Sequence, residues 1–381
     1  MPRHFSPNVQ DIADSVYSGL AHRLATHQGE VFPLHVGDTW MEPPAGCRME
    51  DLHVAEFPGM HRYAAPQGMP ALLDAIVERV RARTGVATER DNVLVATGAT
   101  GALGAVAGAI LAPGDEVLQL APHWPLITGI VQSFGGVPVD VPFFGVADSP
   151  ETAVEAVRER RTERTAALYL NTPSNPTGQI IPRPWIEALV EWARREDLWI
   201  IADEVYEDYV FVGEHTYTRP LAPERTIATH SFSKAYGMAG NRCGYVVGPV
   251  AAVRELRKIG MHSFYSTPTA AQIAALRVMG EAGDAWIARA RAQYQATGAQ
   301  AAARLGLPAP EGSTFLFFDV APFLDGSGLG GFLERCVDRG LFLAPGPSFG
   351  PYPTHVRLCF TAAPPDAIER GVEALAPLLG R

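Results

Sequence analysis

Lysine is rare in this chain, and one lysine stands in an unusual setting. The 31 lysine and arginine residues of the 381-residue sequence include only two lysines, Lys234 and Lys258. Lys234 lies in SFSKAYG, and Arg242 follows it eight residues later. An arginine can replace a lysine as a surface charge but not as an amine nucleophile, because guanidinium does not lose its proton in proteins. Lys234 is therefore a candidate for covalent or acid–base chemistry.

Polar side chains follow several predicted strands at the point where each strand ends. Because ligands bind at the carboxyl ends of strands in open α/β sheets, we expect these side chains to converge at one edge. Together they offer an acid, an amine, aromatic rings, amides and small hydroxyls. With the backbone of Gly98 and Ala99, the residues at these strand ends are Thr100, His123, Trp124, Asn171, Asn175, Asp203, Tyr206, Ser231, Ser233 and Lys234.

The elements that must position these residues alternate between strand and helix. Apolar residues at helical spacing predict a helix over PALLDAIVERVRART that ends at Gly85. The predicted strands DNVLVA, DEVLQL, AALYL, LWIIAD, TIATHSF and GYVVG follow, most of them separated by helices. This alternation predicts an α/β fold, with a large domain whose mostly parallel sheet is sandwiched by helices.

The pattern changes from about residue 276. A long predicted helix, DAWIARARAQYQATGAQAAARLG, precedes strand TFLFFDV, helix LGGFLERCVDRG, strands LFLAPG and HVRLCFT, and a final helix. These elements predict a smaller α+β domain. The expected division is an N-terminal arm with part of the small domain at 1–40, the large domain at 41–275 and the small C-terminal domain at 276–381. A helix is also predicted within residues 9–26.

The stretch TGATGALG at 97–104 raises the question of a dinucleotide site, because Gly98, Gly101 and Gly104 recur every three residues. Three observations argue against it. The stretch begins only after about 95 residues, no aspartate or glutamate ends the strand near Gln119 about 20 residues on, and no tyrosine stands four residues before either lysine. The loop still directs backbone N–H groups from a predicted helix N-terminus, which suits a single phosphate group.

Several motifs together resemble those of the class I and II aminotransferases, enzymes of fold type I that depend on pyridoxal phosphate. Each motif alone is modest, but their joint order covers nearly the whole chain. The resemblance implies a fold-type I architecture, aminotransferase activity and pyridoxal 5′-phosphate as cofactor. The motifs are VGD at 36–38, Tyr63 followed by Gly68, TGATGAL at 97–103, Trp124, NPTG at 175–178, ADEVYEDY at 202–209, SFSK at 231–234 and PGPSFGPYPTHVRLCF at 345–360.

The resemblance also implies roles for the cofactor-binding residues. Lys234 is the amine that bonds the cofactor and moves a proton, and Asp203 keeps the pyridine nitrogen protonated. Asn175 and Tyr206 face the phenolic oxygen, and Trp124 stacks on the ring. The phosphate is assigned to Ala99, Thr100, Ser231, Ser233 and Arg242.

The implied substrates are an L-amino acid and a 2-oxo acid such as 2-oxoglutarate. Arg357, an isolated charge in the apolar segment HVRLCF, is assigned the α-carboxylate with Asn175 and the Gly37 backbone. Dicarboxylate-specific members carry a second arginine downstream of the lysine, but none stands between Lys258 and Arg277 here. We therefore expect a hydrophobic or aromatic donor. The candidate pocket neighbours, which could equally be core residues, are Phe5, Trp40, Phe264, Phe315 and Phe349.

The expected partners are small molecules and a second copy of the chain, because Tyr63's family counterpart reaches the neighbouring subunit's phosphate. This implies a homodimer with shared active sites. The net charge of −10 argues against a nucleic acid partner. No signal core or membrane span is predicted, so a cytoplasmic protein is expected. Cys47, Cys243, Cys336 and Cys359 are too scattered for a zinc site and are expected to be free thiols, with no metal bound.

Two alternatives to an aminotransferase stay open at this point. A C–S β-lyase or a synthase could use the same lysine, acid and phosphate-binding groups, so the motifs separate these reactions poorly. A non-catalytic ligand sensor of this fold would need a DNA-binding domain ahead of it, and about 30 N-terminal residues leave no room for one.

Overall fold

The computed structural model of the protein describes residues 5–10, 12, 23 and 26–381. Most of the helix predicted within residues 9–26 lies outside the described residues. The strands are β1 (Val93–Ala96), β2 (Glu116–Ala121), β3 (Val137–Pro142), β4 (Thr165–Asn171), β5 (Trp199–Asp203), β6 (Thr226–Ser231), β7 (Gly244–Val247), β8 (Phe315–Asp319), β9 (Ala344–Pro345) and β10 (His355–Cys359). The α-helices are α1 (Pro7–Gln10), α2 (Pro70–Thr84), α3 (Gly98–Ile110), α4 (Pro125–Ser133), α5 (Pro150–Arg158), α6 (Arg183–Arg195), α7 (Phe232–Ala235), α8 (Val250–Ser263), α9 (Thr269–Val278), α10 (Glu281–Arg304), α11 (Gly328–Val337) and α12 (Pro365–Leu375).

A seven-stranded sheet organises the larger part of the described chain, in the order β1-β7-β6-β5-β4-β2-β3. Strands β6, β5, β4, β2 and β3 are parallel to their neighbours in that order. Strand β7 runs antiparallel to both β1 and β6. The mostly parallel sheet predicted from the sequence is therefore confirmed.

Helices cover both faces of this sheet, and alternate residues of one strand pack on opposite faces. Leu168 and Leu170 of β4 join a buried cluster with residues of α5 and α6. Ala167 and Tyr169 join a second cluster with residues of α3, α4 and α8. Burial on both faces explains why the strands are continuous apolar runs in the sequence.

The second sheet is antiparallel and has three strands, in the order β8-β10-β9. Strand β10 pairs with β8 along its full length, which sets Arg357 opposite Phe317. The strand predicted over LFLAPG is shorter than expected, because only Ala344–Pro345 pairs with β10. The division of the chain at residues 40 and 275 stays a prediction.

Candidate active site

The carboxyl ends of the large sheet and one strand of the small sheet enclose a cavity of about 210 Å³. Every residue to which the family resemblance assigns a role, except Tyr63, lines it, as do Asn171 from the predicted strand ends, Val205 and Ala239. The lining residues are Gly37, Ala99, Thr100, Trp124, Asn171, Asn175, Asp203, Val205, Tyr206, Ser231, Ser233, Lys234, Ala239, Arg242 and Arg357.

One end of the cavity is built from the first turn of α3 and from Arg242. Gly98 begins α3 with a positive φ of 71°. A Cβ on Gly98 would lie 2.6 Å from Nη2 of Arg242, so the guanidinium packs directly on this backbone. Arg242 Nη1 also donates to the Ala239 carbonyl at 2.9 Å. The free N–H groups of a helix start, beside a guanidinium, make this end suited to an anion.

Two serines at the start of α7 complete the anion-binding end. Ser231 caps this helix, because its Oγ accepts a hydrogen bond from the Ser233 backbone N–H at 3.0 Å. The cap holds the turn that carries Lys234 and leaves the Ser231 hydroxyl proton available to a ligand.

Asp203, at the end of β5, is a buried carboxylate with one oxygen bonded and one without a partner. Tyr169 donates its hydroxyl to Oδ2 at 2.6 Å. Within the described chain, Oδ1 has no hydrogen-bond partner. Burial raises the pKa of Asp203 to about 6, although hydrogen bonds from the Tyr169 hydroxyl and the Val205 backbone N–H, and the charge of His230, pull it down. A cationic ligand group beside Oδ1 would stabilise the ionised form.

A buried group of charges lies behind Asp203. His230 Nδ1 is 2.9 Å from Oε1 of Glu207, and Arg83 pairs with Glu207 at 2.9 Å and with Asp208 at 2.7 Å. Burial lowers the pKa of His230, but the Glu207 carboxylate outweighs it, so the net shift is upward. The Glu207 carboxylate thus favours the protonated form of His230 behind Asp203.

Lys234 is partly buried, and its ammonium group donates to the Gly37 carbonyl oxygen. Burial lowers the pKa of Lys234, although the Asp38 carboxylate opposes this. A lowered pKa makes the neutral amine, which is the nucleophilic form, more available near neutral pH.

Arg357 forms the other end of the cavity. Its Nη1 donates to Asn175 Oδ1 at 2.8 Å, and its Nη2 donates to the His35 carbonyl at 2.6 Å. The guanidinium carbon lies 4.2 Å from the Phe315 ring centre and 4.8 Å from that of Phe349. These contacts fix the plane of the guanidinium, which suits two-point binding of a carboxylate.

The aromatic residues proposed as pocket neighbours divide into two groups. Phe315 and Phe349 flank Arg357 and are buried. Phe264 packs against the cluster around α3 and α8, while Phe5 and Trp40 are exposed. Only the first pair therefore shapes the site within this chain.

Tyr63 stands apart from the cavity. Its side chain is 87% exposed, and its ring contacts Tyr265 edge-on at 5.0 Å. It is the one predicted site residue that the fold of a single chain does not bring to the others.

Sequence reasoning missed Tyr169, although a signal was present. Tyr169 precedes Asn171 by two residues in β4, so the two side chains share one face of the sheet. Asn171 pairs with Asp203 in register and donates to its carbonyl at 2.9 Å. An aromatic hydroxyl two residues before a site residue could have been included on that ground.

A second cavity, of about 810 Å³, adjoins the first and shares Trp124 and Arg357 with it. Its lining includes Leu126, Phe349 and Pro347 as apolar groups, with the polar pair His123 and Asp140. His123 Nε2 lies 2.8 Å from Asp140 Oδ1. Neither cavity presents an arginine or lysine beyond Lys234, Arg242 and Arg357 among the residues described.

Across the part of the chain that the structure covers, every helix is too short or too polar to pass through a lipid bilayer. The same residues contain no group of three histidine, cysteine, aspartate or glutamate side chains arranged to hold a metal ion.

Comparisons with known proteins agree with the geometry. A family model described as "Aminotransferase class I and II" matches residues 31–375. A probable aspartate/prephenate aminotransferase of Thermus aquaticus is 36% identical over 83% of this chain and 84% of its own length. An arginine–pyruvate transaminase of Pseudomonas aeruginosa is 34% identical over 91% of this chain and 88% of its own length. The structure of Thermus thermophilus aspartate aminotransferase with maleate has a TM-score of 0.88 and 30% identity, covering 99% of this chain and all of that one.

Proposed function

The chain belongs to the class I and II aminotransferases and is an aminotransferase, and from this premise we propose its cofactor, substrates and assembly. The cofactor is pyridoxal 5′-phosphate. The donor is an L-amino acid with a hydrophobic or aromatic side chain, and the acceptor is a 2-oxo acid such as 2-oxoglutarate. The observation that carries the proposal is that one cavity holds the Lys234 amine, the buried Asp203 carboxylate and the Arg357 guanidinium. One oxygen of the carboxylate has no hydrogen-bond partner among the described residues, and the guanidinium is held in place by hydrogen bonds.

The residues of the cavity fit this cofactor. Oδ1 of Asp203 is buried without a hydrogen-bond partner in the described chain, as an oxygen reserved for a protonated ring nitrogen would be. The first turn of α3 and Arg242 form an anion cradle that a Cβ on Gly98 would fill. When bound, pyridoxal phosphate supplies an aldehyde that exchanges with the substrate amine and a ring that takes up the electrons of the broken Cα–H bond.

Lys234 is assigned the covalent attachment and the proton transfer. Its amine is held at the cavity by the Gly37 carbonyl and has a lowered pKa because it is buried. With cofactor and substrate bound, the neutral Nζ would take the proton from the substrate Cα and would donate it again to the carbon that is protonated next.

Asp203, Asn175 and Tyr206 are assigned the ring, and Trp124 its stacking face. Asp203 holds a proton on the ring nitrogen through charge, and this keeps the ring electron-withdrawing. Tyr206 and the Asn175 amide are assigned the phenolic oxygen. Burial raises the pKa of Tyr206, so its hydroxyl stays a donor at neutral pH. The phosphate is assigned to Ala99, Thr100, Ser231, Ser233 and Arg242.

Arg357 is assigned the substrate α-carboxylate, helped by Asn175 and the Gly37 backbone. A carboxylate bound at two points orients the amino acid so that its Cα–H bond faces Lys234.

The donor class follows from charge and shape. Lys234, Arg242 and Arg357 already have roles, and the described lining of both cavities offers no further cation for a second carboxylate. The adjoining cavity is lined by apolar groups such as Leu126 and Phe349, which suit a hydrophobic or aromatic side chain. The names of the Thermus relatives point instead to aspartate. Testing aspartate beside hydrophobic and aromatic amino acids distinguishes the two donor classes.

The proposed assembly is a homodimer with shared active sites. Tyr63 is exposed in one chain and does not line that chain's cavity, which supports a contact with the active site of a neighbouring subunit. A sedimentation measurement of the molecular mass tests the assembly. The proposed location is the cytoplasm, because the four cysteines are buried free thiols, as expected in a reducing compartment.

We propose the division of the chain into 1–40, 41–275 and 276–381, and the separate positions of the two sheets along the chain support the larger and smaller units. The large sheet lies between Val93 and Val247, and the small sheet lies between Phe315 and Cys359.

One experiment tests cofactor, reaction and donor class together. The absorption spectrum of the purified protein with pyridoxal phosphate is recorded, and again after each amino acid is added singly. We expect the cofactor band to change with hydrophobic or aromatic amino acids, not with aspartate, and to return when 2-oxoglutarate is added. A response to aspartate alone would overturn the donor class. Release of pyruvate and ammonia would identify a lyase. The lack of any absorption band from bound cofactor would overturn the assignment of pyridoxal phosphate.

A further inference from the structure

We propose that Tyr169 is a positioning residue for Asp203: its hydroxyl fixes one carboxylate oxygen so that the other is presented to the ring nitrogen of the bound cofactor. The inference rests on the proposed use of pyridoxal phosphate. Tyr169 does not line the cavity, so it acts through Asp203 and not by touching a ligand.

The sheet register explains how Tyr169 reaches Asp203. In the parallel pair β4 and β5, Asn171 lies opposite Asp203 and Tyr169 lies opposite Ile201. Tyr169 is therefore the diagonal neighbour of Asp203 on the same face, a distance that a long aromatic side chain spans. The resulting oxygen–oxygen separation of 2.6 Å is typical of a hydroxyl bonded to a carboxylate.

The Tyr169 hydroxyl and the Val205 backbone N–H both bond the carboxylate, and without the tyrosine the orientation of the carboxylate would be less well defined. Rotation about the last bond of an aspartate side chain is a broad, roughly two-fold torsion. The hydrogen bond from Tyr169 holds Oδ2, and Oδ1 is left buried without a partner in the described residues. One orientation is thus selected before the cofactor arrives.

The same hydrogen bond also favours the charged form of Asp203. Burial raises the pKa of this carboxyl, and the Tyr169 hydroxyl opposes the rise. The other titratable groups around the carboxylate are His230, which also lowers its pKa, and Glu204 and Tyr206. Burial and the nearby Asp203 charge raise the pKa of Tyr169 itself, so the phenol stays protonated and remains a donor.

A double-mutant cycle on cofactor affinity tests the proposal. The dissociation constant of pyridoxal phosphate is measured for the wild type, Tyr169→Phe, Asp203→Asn and the double variant. We expect Tyr169→Phe to weaken binding by roughly tenfold to a hundredfold, the value of a hydrogen bond to a charged group. In the Asp203→Asn background the same change should cost no more than about twofold. Equal losses in both backgrounds, or no loss in the wild-type background, overturn the proposal.

The pH dependence supplies a second readout that a purely structural role would not move. Cofactor binding requires ionised Asp203, so affinity falls below the pKa of this group in the free enzyme. Removing the Tyr169 hydroxyl raises that pKa, and the decline should therefore begin at higher pH in Tyr169→Phe. Coincident pH profiles would contradict the proposal.

Two controls keep the result interpretable. Tyr245→Phe removes the hydroxyl of another buried tyrosine in the same sheet, one that stacks on His230, and should leave the affinity unchanged. If Tyr169→Phe does not fold, 3-fluorotyrosine at position 169 keeps the shape while strengthening the donor. It should move the pH profile downward, and an unmoved profile overturns the proposal. A wild-type protein that binds no pyridoxal phosphate would instead refute the proposed function.

Discussion

The two ends of the active-site cavity are built in different ways. The anion-binding end comes from turns at one edge of the large sheet: Gly98 follows β1, Ser231 ends β6, and Arg242 precedes β7, which lies between those two strands. Its two serines lie within one capped turn. The guanidinium end instead joins Arg357 to Asn175 and His35, which are 182 and 322 residues away in the chain. The first end depends on contacts within the large sheet, including one between Gly98 and the distant Arg242, whereas the second exists only once the two sheets have packed together. Substitutions at the anion-binding end should therefore weaken cofactor binding, and substitutions at the guanidinium end should weaken substrate binding.

Lys234 lies where the two ends meet, and its replacement should have the largest effect. Lys234→Arg keeps the positive charge but removes the only amine in the cavity lining among the described residues. We expect turnover to fall by at least about 10³-fold, because attachment and proton transfer are both lost. Initial rates and the absorption spectrum check this result. Retained turnover would refute the assignment, and Lys258→Arg, at an exposed site, is the matched control.

Arg357→Lys tests the guanidinium end. A lysine supplies charge but not the planar fork that Phe315 and Phe349 hold in place. We expect kcat/KM for the best donor to fall by about 10²–10³-fold, chiefly through a higher KM. The reason is that the buried pair between the Arg357 guanidinium and the substrate α-carboxylate is lost. The affinity for pyridoxal phosphate should change little.

The control for this variant is Arg335→Lys, because Arg335 also stacks on a phenylalanine, Phe332, and pairs with a carboxylate outside the cavity. An unchanged KM in Arg357→Lys would contradict the proposed carboxylate site. A loss of cofactor affinity as large as the loss in KM would show that the two ends are not separable.

Gly98→Ala tests the anion-binding end and should have a smaller effect. The new Cβ would meet the Arg242 guanidinium, at a backbone φ of 71° that alanine rarely adopts. We expect pyridoxal phosphate affinity to fall roughly tenfold to a hundredfold, the value of a charge-assisted hydrogen bond. Equilibrium dialysis measures the change.

Gly104→Ala provides the matched control from the same glycine-rich stretch. A Cβ on Gly104 would meet only Phe134, at 4.0 Å, and the residue lies inside α3. Replacing a helical glycine with alanine should raise the free energy of unfolding by about 0.5–1 kcal/mol and leave affinity unchanged. If both substitutions weakened pyridoxal phosphate binding equally, the contact between Gly98 and Arg242 would not explain the loss of affinity.

The smallest expected effect is a change in the pH dependence of stability. Burial and the charge of Arg357 lower the pKa of His35 from 6.5 to about 4. Between these values the unfolded chain binds a proton that the folded chain does not, so stability falls as pH drops through this window. His35→Gln should lessen that fall by about 2 kcal/mol. Urea unfolding between pH 7 and 4 measures it, with the exposed His262→Gln as control. Parallel curves for His35→Gln and the wild type would contradict the expected shift.

Much of the large sheet was predictable because its local signals agree with its packing. The helix ending at Gly85 and the apolar strands ending at Ala96 and Asp203 are where the pattern predicts them, and the strand predicted over DEVLQL extends one residue further, to Ala121. The strand over LFLAPG was overestimated, since an apolar run also suits buried loop. Pairing then depends on partners that a local pattern does not contain, and only two residues of this run find one.

The sequence by itself determined the chemical groups, their attachment to strand ends and the alternation that builds a parallel sheet, because these depend on local patterns of side chains. Only the tertiary structure decided which groups meet. It set Tyr169 against one oxygen of Asp203, placed Arg357 between two phenylalanine rings and left Tyr63 outside the cavity of its own chain. These contacts depend on sheet register and on the packing of two sheets, and both are fixed by burial across the whole chain.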